Sequence, residues 1–449
     1  LFTPGFQLSF SAVAGILYLY PRLKERLLAT ELGQRATGNS FGRGVVDLLL
    51  ISFTAQAGVL PAQAYWFYSL PLYGLIANMV VVPLAGLVVM GGALGLVAMS
   101  VWSWLGEIFL NTCWAGISAI QWAATSVAQW PYASITTGRP NLLEGLAIVT
   151  AIVFLPEIGS WVTRRLLPRL TMLLLGIGIV AVWTPALGSR ELEVTMLDVG
   201  QGDAIHLRLP AGQNILVDCG PRTRTFDAGR SIIRPYLHAQ GITALEGVVV
   251  SHPHLDHYGG LSSLLDDFHI RSVWQPVQRS YYASYASVID KAGKRGSDIS
   301  VLRAGEALSF GAVDLLVLSP DSMHAVNASN DNDASLILKL EFGETSMLFM
   351  GDGEFEIERH LLVYDSLLTS DWLKIGHHGA VTASSKAFLR QVNPRGALIS
   401  VGKYNRYGHP ADETLARLHE HGLQVLRTDM DGAIRLNSDG RGWQVTQWR

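Results

Sequence analysis

Three histidines and one aspartate fall within six residues, His252-Pro253-His254-Leu255-Asp256-His257, with no cysteine among them. In extended backbone alternate side chains point the same way, so His252 and His254 can reach one metal ion together. Asp256 and His257 lie one step on and can reach a second. Imidazole and carboxylate donors together suit zinc, manganese or iron. A polar loop rich in histidine would explain a lone His. The tight spacing directly after an apolar β-branched run, Val248-Val249-Val250, argues for metal instead.

Further candidates follow downstream. Asp352 stands in Gly351-Asp352-Gly353 after an apolar run and reads as a ligand, as does one of the pair His377/His378, with His377 the preferred member. His378 and His409 are read as groups that contact the scissile bond or protonate a leaving oxygen, and Asp256 as the group that orients a water or accepts its proton. Lys374, Lys403, Asn405 and Arg406 are candidates for contact with a polyanion. Asp198, Asp203 and Asp218 orient ligands or hold turns, with direct metal contact the lesser reading.

These residues need a rigid frame, and the sequence repeats one device to build it: a short apolar strand ends, a glycine permits a tight turn, and a carboxylate or imidazole is presented. Segments 191–197, 204–209 and 214–217 read as a β-meander. Residues 230–240 read as a helix stopped by Gly241. Segments 335–342 and 347–350 form a hairpin around Gly343, and 411–421 is a helix. The predicted fold of this part is α/β.

The rest of the chain is a different material. Hydrophobic residues make up 49% and charged residues only 16%, against about 25% charged in a typical soluble domain. Residues 1–189 hold nine Lys/Arg and six Asp/Glu, and all thirteen histidines lie after them. The boundary falls near residue 188, giving a membrane domain at 1–187, a linker at 188–192 and an α/β domain at 193–449. The net charge of −3 says little about partners, but residues 190–449 hold twenty-five Lys/Arg against thirty-one Asp/Glu, so their surface as a whole is no obvious nucleic-acid binder and an anionic substrate would need a local basic patch or metal ions. Two cysteines, Cys113 and Cys219, cannot build a disulfide framework or a thiolate metal site. The chain starts at Leu1, inside an apolar stretch, and reads as a piece of a longer protein.

From Leu48 to Gly106 no Asp, Glu, Lys, Arg or His occurs. That length suits two or three spans of about 20 residues. Pro61, Pro71 and Pro83 suggest breaks, giving candidates at 45–60, 69–82 and 84–104. With 1–20, 108–138, 142–156 and 170–186, five to seven apolar segments are expected. Gly86, Gly91, Gly92 and Gly95 suit close helix approach. The basic groups Arg22-Lys24-Arg26 and Arg164-Arg165-Arg169 favour the cytoplasmic side, which puts the α/β domain outside the cytoplasm.

The His-x-His-x-Asp-His run with Asp352 and His377/His378 resembles the metallo-β-lactamase superfamily, which implies an αββα fold. More narrowly, Asp198-Val199-Gly200-Gln201-Gly202-Asp203-Ala204, Ser251-His252-Pro253-His254, His377-His378-Gly379 and Tyr407-Gly408-His409-Pro410 resemble the ComEC competence family. Pro4-Gly5-Phe6-Gln7-Leu8-Ser9-Phe10, Ala77-Asn78 and Val82-Pro83 are similar to that family's membrane domain. One departure stands out: the superfamily often has a further metal histidine before the bridging acid, and residues 329–335 offer only Asn330, Asp331, Asn332, Asp333 and serines. An oxygen-rich site of one or two ions favours manganese over a closed zinc site.

The resemblance implies a multi-pass protein of the bacterial inner membrane that takes up DNA in natural transformation. A single strand would pass through the channel, with duplex at the entrance and the metal domain, a metal-dependent nuclease or phosphodiesterase, degrading the other strand. Membrane lipid and the DNA-receptor and translocation-motor proteins of competence are the implied partners. The alternatives are a membrane-tethered hydrolase of small phosphoesters and a DNA channel whose metal domain does not turn over.

Overall fold

A computed structural model describes residues 3–140, 142–154, 191–277, 282–321 and 328–448. The expected span at 170–186, the Arg164–Arg169 cluster, most of the linker at 188–192, and His324 lie outside the described residues. The chain divides into two compact units, with the main break between Pro185 and Ala186.

The first unit is helical: α1 (Pro4–Leu28), α2 (Glu31–Ala36), α3 (Ser40–Phe67), α4 (Gly74–Val101), α5 (Ser103–Ala128) and α6 (Leu142–Phe154), with a two-stranded ladder of β1 (Ser69–Pro71) and β2 (Ser134–Thr136). Among the described residues, α3 and α4 are long and apolar enough to cross a membrane by length and composition. The expected breaks at Pro61 and Pro83 do not occur, since α3 runs through Pro61 and α4 through Pro83. A helix in an apolar surround loses one backbone bond at a proline and keeps the rest, whereas ending there would expose several unpaired groups. Leu87, Val89, Leu94, Leu96 and Val97 of α4 are all more than half exposed, an exposed apolar surface.

Small residues set the helix contacts. A Cβ at Gly15 would lie 2.5 Å from the Thr54 carbonyl oxygen, and one at Gly58 would lie 2.3 Å from that of Ser11, so α1 and α3 cross almost backbone to backbone. Of the glycines singled out in α4, Gly91 faces Cys113 and Gly95 faces Phe109 on α5, while Gly86 and Gly92 face open space. Asp47 is paired: its carboxylate meets Lys24 at 2.8 Å and accepts the Tyr20 hydroxyl at 3.0 Å.

The second unit is a four-layer αββα sandwich. One sheet of eight strands runs β17 (Trp443–Trp448), β16 (Ala433–Ser438), β3 (Leu192–Met196), β4 (Ile205–Arg208), β5 (Asn214–Val217), β6 (Ala244–Val249), β7 (His269–Pro276), β8 (Asp298–Leu302). The other, of seven, runs β15 (Gln424–Arg427), β14 (Gly396–Ile399), β13 (Trp372–Lys374), β12 (Thr345–Phe349), β11 (Ile337–Phe342), β10 (Val313–Ser319), β9 (Ala307–Phe310). The side-chain period of two explains the layers. Along β5, Ile215 and Val217 enter the core between the sheets, while Leu216 faces the layer of helices Arg234–Ala239, Leu261–Asp267 and Ala283–Lys294. Along β12, Met347 and Phe349 enter the same core and Leu348 faces helices Phe355–Leu361, Lys386–Val392 and Asp412–Glu420. Both faces being buried, these strands read as near-continuous apolar runs. The strands β5, β6 and β7 are parallel, as are β12, β13 and β14. Each set therefore delivers its outgoing loops to one edge.

Candidate metal centre

All the sequence-predicted ligands leave the C-terminal ends of these parallel strands. After β6 the chain passes through Ser251-His252-Pro253-His254 into a short helix, Leu255–Tyr258. Gly259 and Gly260 follow because the chain must press against its neighbours: a Cβ on Gly260 would lie 2.2 Å from the Cys219 carbonyl oxygen. Asp352 leaves β12. His377 and His378 leave β13 in a turn where both have left-handed backbone, φ 43° and 53°. Two consecutive non-glycine residues in that region are costly and persist only where surroundings enforce them.

The edges meet at Asp352. Its Oδ2 lies 3.2 Å from His257 Nε2 and 3.7 Å from His252 Nε2, and its Oδ1 lies 3.8 Å from His378 Nε2. One carboxylate thus faces two sets of donors. Asp256, His257, Asp352 and His378 can each offer an atom, all within 4.8 Å of one another. His252 Nε2 and His254 Nδ1 stand 3.0 Å apart. His257 Nε2, Asp352 Oδ1 and His378 Nε2 are buried with no hydrogen-bond partner. Buried polar atoms without partners are expensive, and three of them converging fit a cation.

The electrostatics agree. Asp203, Asp218 and Asp352 are buried, Asp256 borders the site, and the one ammonium among them is Lys374. Burial opposes charge on Asp203, but Lys374 and His378 hold its carboxyl down at about 2. Burial likewise opposes charge on His378, yet the carboxylates of Asp352, Asp203 and Asp256 around it hold its pKa up, at about 10. His257 is raised in the same way by Asp352 and Asp218. Carboxylates in a low-dielectric site favour positive charge on His257 and His378, a demand that divalent ions would meet equally well, whereas burial pushes His252 and His254 down.

Several residues have positions the sequence did not show. His378, not His377, completes the four-donor cluster, with its Nδ1 held 2.9 Å from the Ser400 carbonyl oxygen. His377 Nε2 is 4.0 Å from Asp352, and its Nδ1 is 2.6 Å from Glu354 Oε1. Lys374 corrects the expectation of a rim contact: it is 1% exposed, pairs with Asp203 and donates to the Gly351 carbonyl at 2.7 Å, so no polyanion can reach it. Asn405 spends its amide inside its own loop, bonded to Gly402 and His409 carbonyls and to the Tyr407 and His409 amides. Lys403 and Arg406 are exposed. His409 is half-buried, its ring 5.5 Å from that of His377.

Other residues carry the site without having been singled out. Ser251 binds Asp218 through both its amide and its hydroxyl, at 2.7 Å each, and Asp218 in turn receives His257 Nδ1 at 2.8 Å. Such carboxylate–imidazole contacts fix a ligand's orientation. Asp198 lies outside this network and caps its own turn through the Gly200 amide. Where the superfamily's extra histidine is missing, Asp331 acts electrostatically on His254 and accepts the Tyr282 hydroxyl at 2.6 Å. Asn332 lies 3.4 Å from both Glu354 and His377. The serine next to the motif and the carboxylate two residues after Asp352 were the available signals.

This fold and donor set define a protein of the metallo-β-lactamase superfamily, and residues 197–318 match that superfamily's profile. Asp352 and His378 lie beyond the matched stretch, and the second sheet brings them in. Residues 1–161 match the family described as competence protein. ComE operon protein 3 of Bacillus subtilis is 30% identical over 459 residues, covering 98% of this chain and 56% of that protein. Recombination protein 2 of Haemophilus influenzae is 28% identical, covering 88% and 50%. The chain thus carries a competence-family domain followed by a metallo-β-lactamase-superfamily domain. It spans about half the length of these relatives, 56% and 50%. Among solved structures, the metallo-β-lactamase fold protein YhfI of Bacillus subtilis aligns with a TM-score of 0.37 and 11% identity, over 55% of this chain and 100% of that one.

Proposed function

We propose that the chain serves DNA uptake in natural transformation as a multi-pass protein of the bacterial inner membrane, and that its second unit is a metal-dependent phosphodiesterase acting on DNA. The observation that carries the hydrolase reading is Asp352, one buried carboxylate whose Oδ2 faces His257 and His252 and whose Oδ1 faces His378, amid buried nitrogens that lack partners. The competence-family match at 1–161 and the exposed apolar surface of α4 support the membrane and DNA-uptake parts.

His252, His254 and Asp352 would hold one ion, with an oxygen or water as its remaining ligand; Asp256, His257, Asp352 and His378 would hold the other. Divalent manganese or zinc there supplies Lewis acidity and a water acidic enough to attack a phosphodiester near neutral pH. Asp218 and Ser400 fix the ring orientations of His257 and His378. Asp256, 36% exposed at its side chain, is the carboxylate placed to receive a proton from the attacking water. Glu354 grips His377 Nδ1 and leaves Nε2, 4.0 Å from Asp352, to give a proton to the leaving oxygen. His377 and His378 thus exchange the roles the sequence suggested.

The test is cleavage of single-stranded and duplex DNA by the chain in detergent, with manganese, with zinc and with chelator. Cleavage that needs metal and is lost in Asp352→Asn is the expected result. Hydrolysis of small phosphodiesters alone would point to a tethered small-phosphoester hydrolase, and no turnover with bound metal would point to a non-catalytic domain.

A further inference from the structure

The loop after β14, residues 402–409, presents aromatic and cationic groups in alternation: Lys403, Tyr404, Arg406, Tyr407 and then His409. Tyr404 is 91% exposed and Tyr407 56%. Each has a cation at its ring, Lys403 Nζ at 5.8 Å from the Tyr404 centroid and the Arg406 guanidinium at 5.3 Å from that of Tyr407. The loop is nevertheless built to hold its shape. Asn405 uses both ends of its amide to tie Gly402, Tyr407 and His409 together. At its base Gly402 presses on the Gly200-Gln201 backbone, where a Cβ would lie 2.9 Å from the Gln201 nitrogen.

Ring contacts lead from this loop to the metal centre. Tyr407 stacks on His409 at 6.0 Å with planes 12° apart, His409 meets His377 at 5.5 Å, and His377 Nε2 is 4.0 Å from Asp352. His409 Nδ1 is buried without a partner. Exposed tyrosines held on a stiff loop, each beside a cation, match one chemistry above others: unstacked bases lie on the rings while phosphates meet the cations. A duplex keeps its bases stacked on each other and offers the rings nothing.

We propose that the 402–409 loop is a stacking platform that receives single-stranded nucleic acid and feeds its backbone to the metal centre, Tyr404 and Tyr407 taking bases and Lys403 and Arg406 taking phosphates. This rests on the phosphodiesterase reading and names the form of its substrate.

The test is fluorescence anisotropy of a labelled 20-mer of thymidine with the whole chain in detergent, in chelator so that the strand stays intact. Replacing both tyrosines with alanine, Tyr404→Ala with Tyr407→Ala, should weaken binding about 10-fold or more, since each stacked base contributes substantially. Phenylalanine at both positions should restore it to within about 2-fold, because the ring and not the hydroxyl does the stacking. Lys403→Ala with Arg406→Ala should lower the slope of log affinity against log salt by about 1.4, the value for two phosphates on a single strand. Binding by the alanine pair equal to that of the original chain overturns the platform, as does a preference for duplex. If metal-dependent DNA cleavage by the original chain persists in either case, only the platform fails. If the original chain neither binds nor cleaves any DNA but still hydrolyses a small phosphodiester, the DNA reading falls as well.

Discussion

Asp352 bears the greatest demand of any residue here, because one carboxylate serves two sets of donors. Asp352→Asn keeps the shape and removes the charge; bound metal and DNA cleavage should both fall by about 100-fold or more, read by elemental analysis and a gel assay. Lys374 is a different case. Lys374→Met would remove the ammonium paired with the buried Asp203 carboxylate, costing about 3–5 kcal/mol in chemical denaturation of the second unit. His206 gives a pH signature away from the metal. It is buried between Tyr236 and Asn214, and burial, with Arg208 nearby, pushes its pKa down to about 3. The unfolded chain therefore binds a proton below about 6.5 that the folded chain refuses. Stability from this residue is complete above that pH and declines as pH falls towards 3. His206→Gln should reduce the stability slope in that window by about 1.4 kcal/mol per pH unit, measured with chelator present.

At this scale the sequence was informative where chemistry is local. The 252–257 motif showed itself by spacing alone. The choice between His377 and His378 did not, because it depends on left-handed backbone that only the packed turn enforces. Lys374 looked like a rim cation because its partner, Asp203, lies far away along the chain. Glu354 was passed over because nothing near it in sequence showed that it meets His377.

Among the elements, strands were readable where runs were apolar on both faces, and the predicted hairpin around Gly343 is present as β11 and β12. The helix expected at 230–240 instead opens with a wider turn, Gly229–Ile233, before Arg234–Ala239. Local propensity does not register a tertiary demand: a Cβ on Gly229 would lie 2.2 Å from the Gly260 carbonyl oxygen, so the chain must run close there. Prolines misled in the other direction, since Pro61 and Pro83 were read as breaks by rules drawn from water-exposed helices. The crossing of α1 and α3 yields a prediction. Gly58→Leu cannot fit against Ser11 and should cost about 1–3 kcal/mol, seen as a lower thermal midpoint of the helical unit in detergent, with Gly58→Ala intermediate.

For the molecule as a whole, two materials joined in one chain were legible from charge and histidine distribution alone. The fold class of the second unit followed from the order of its motifs, and the long apolar helices of the first from fifty-nine residues without a charge, Leu48 to Gly106. If ions hold the two sheets together at Asp352, chelation should destabilise the second unit. An ion present at about 100 times its Kd contributes about 2.7 kcal/mol, which lowers the thermal midpoint of a unit this size by roughly 5–10 °C. The central claim, that this site binds divalent metal in order to cut DNA, is tested most directly by measuring bound metal and DNA cleavage on the same preparation, original chain beside Asp352→Asn. The account predicts one or two ions per chain and metal-dependent cleavage, both lost in the variant. Equal cleavage by the two proteins, or a fully metal-loaded chain that cuts no DNA, would contradict it.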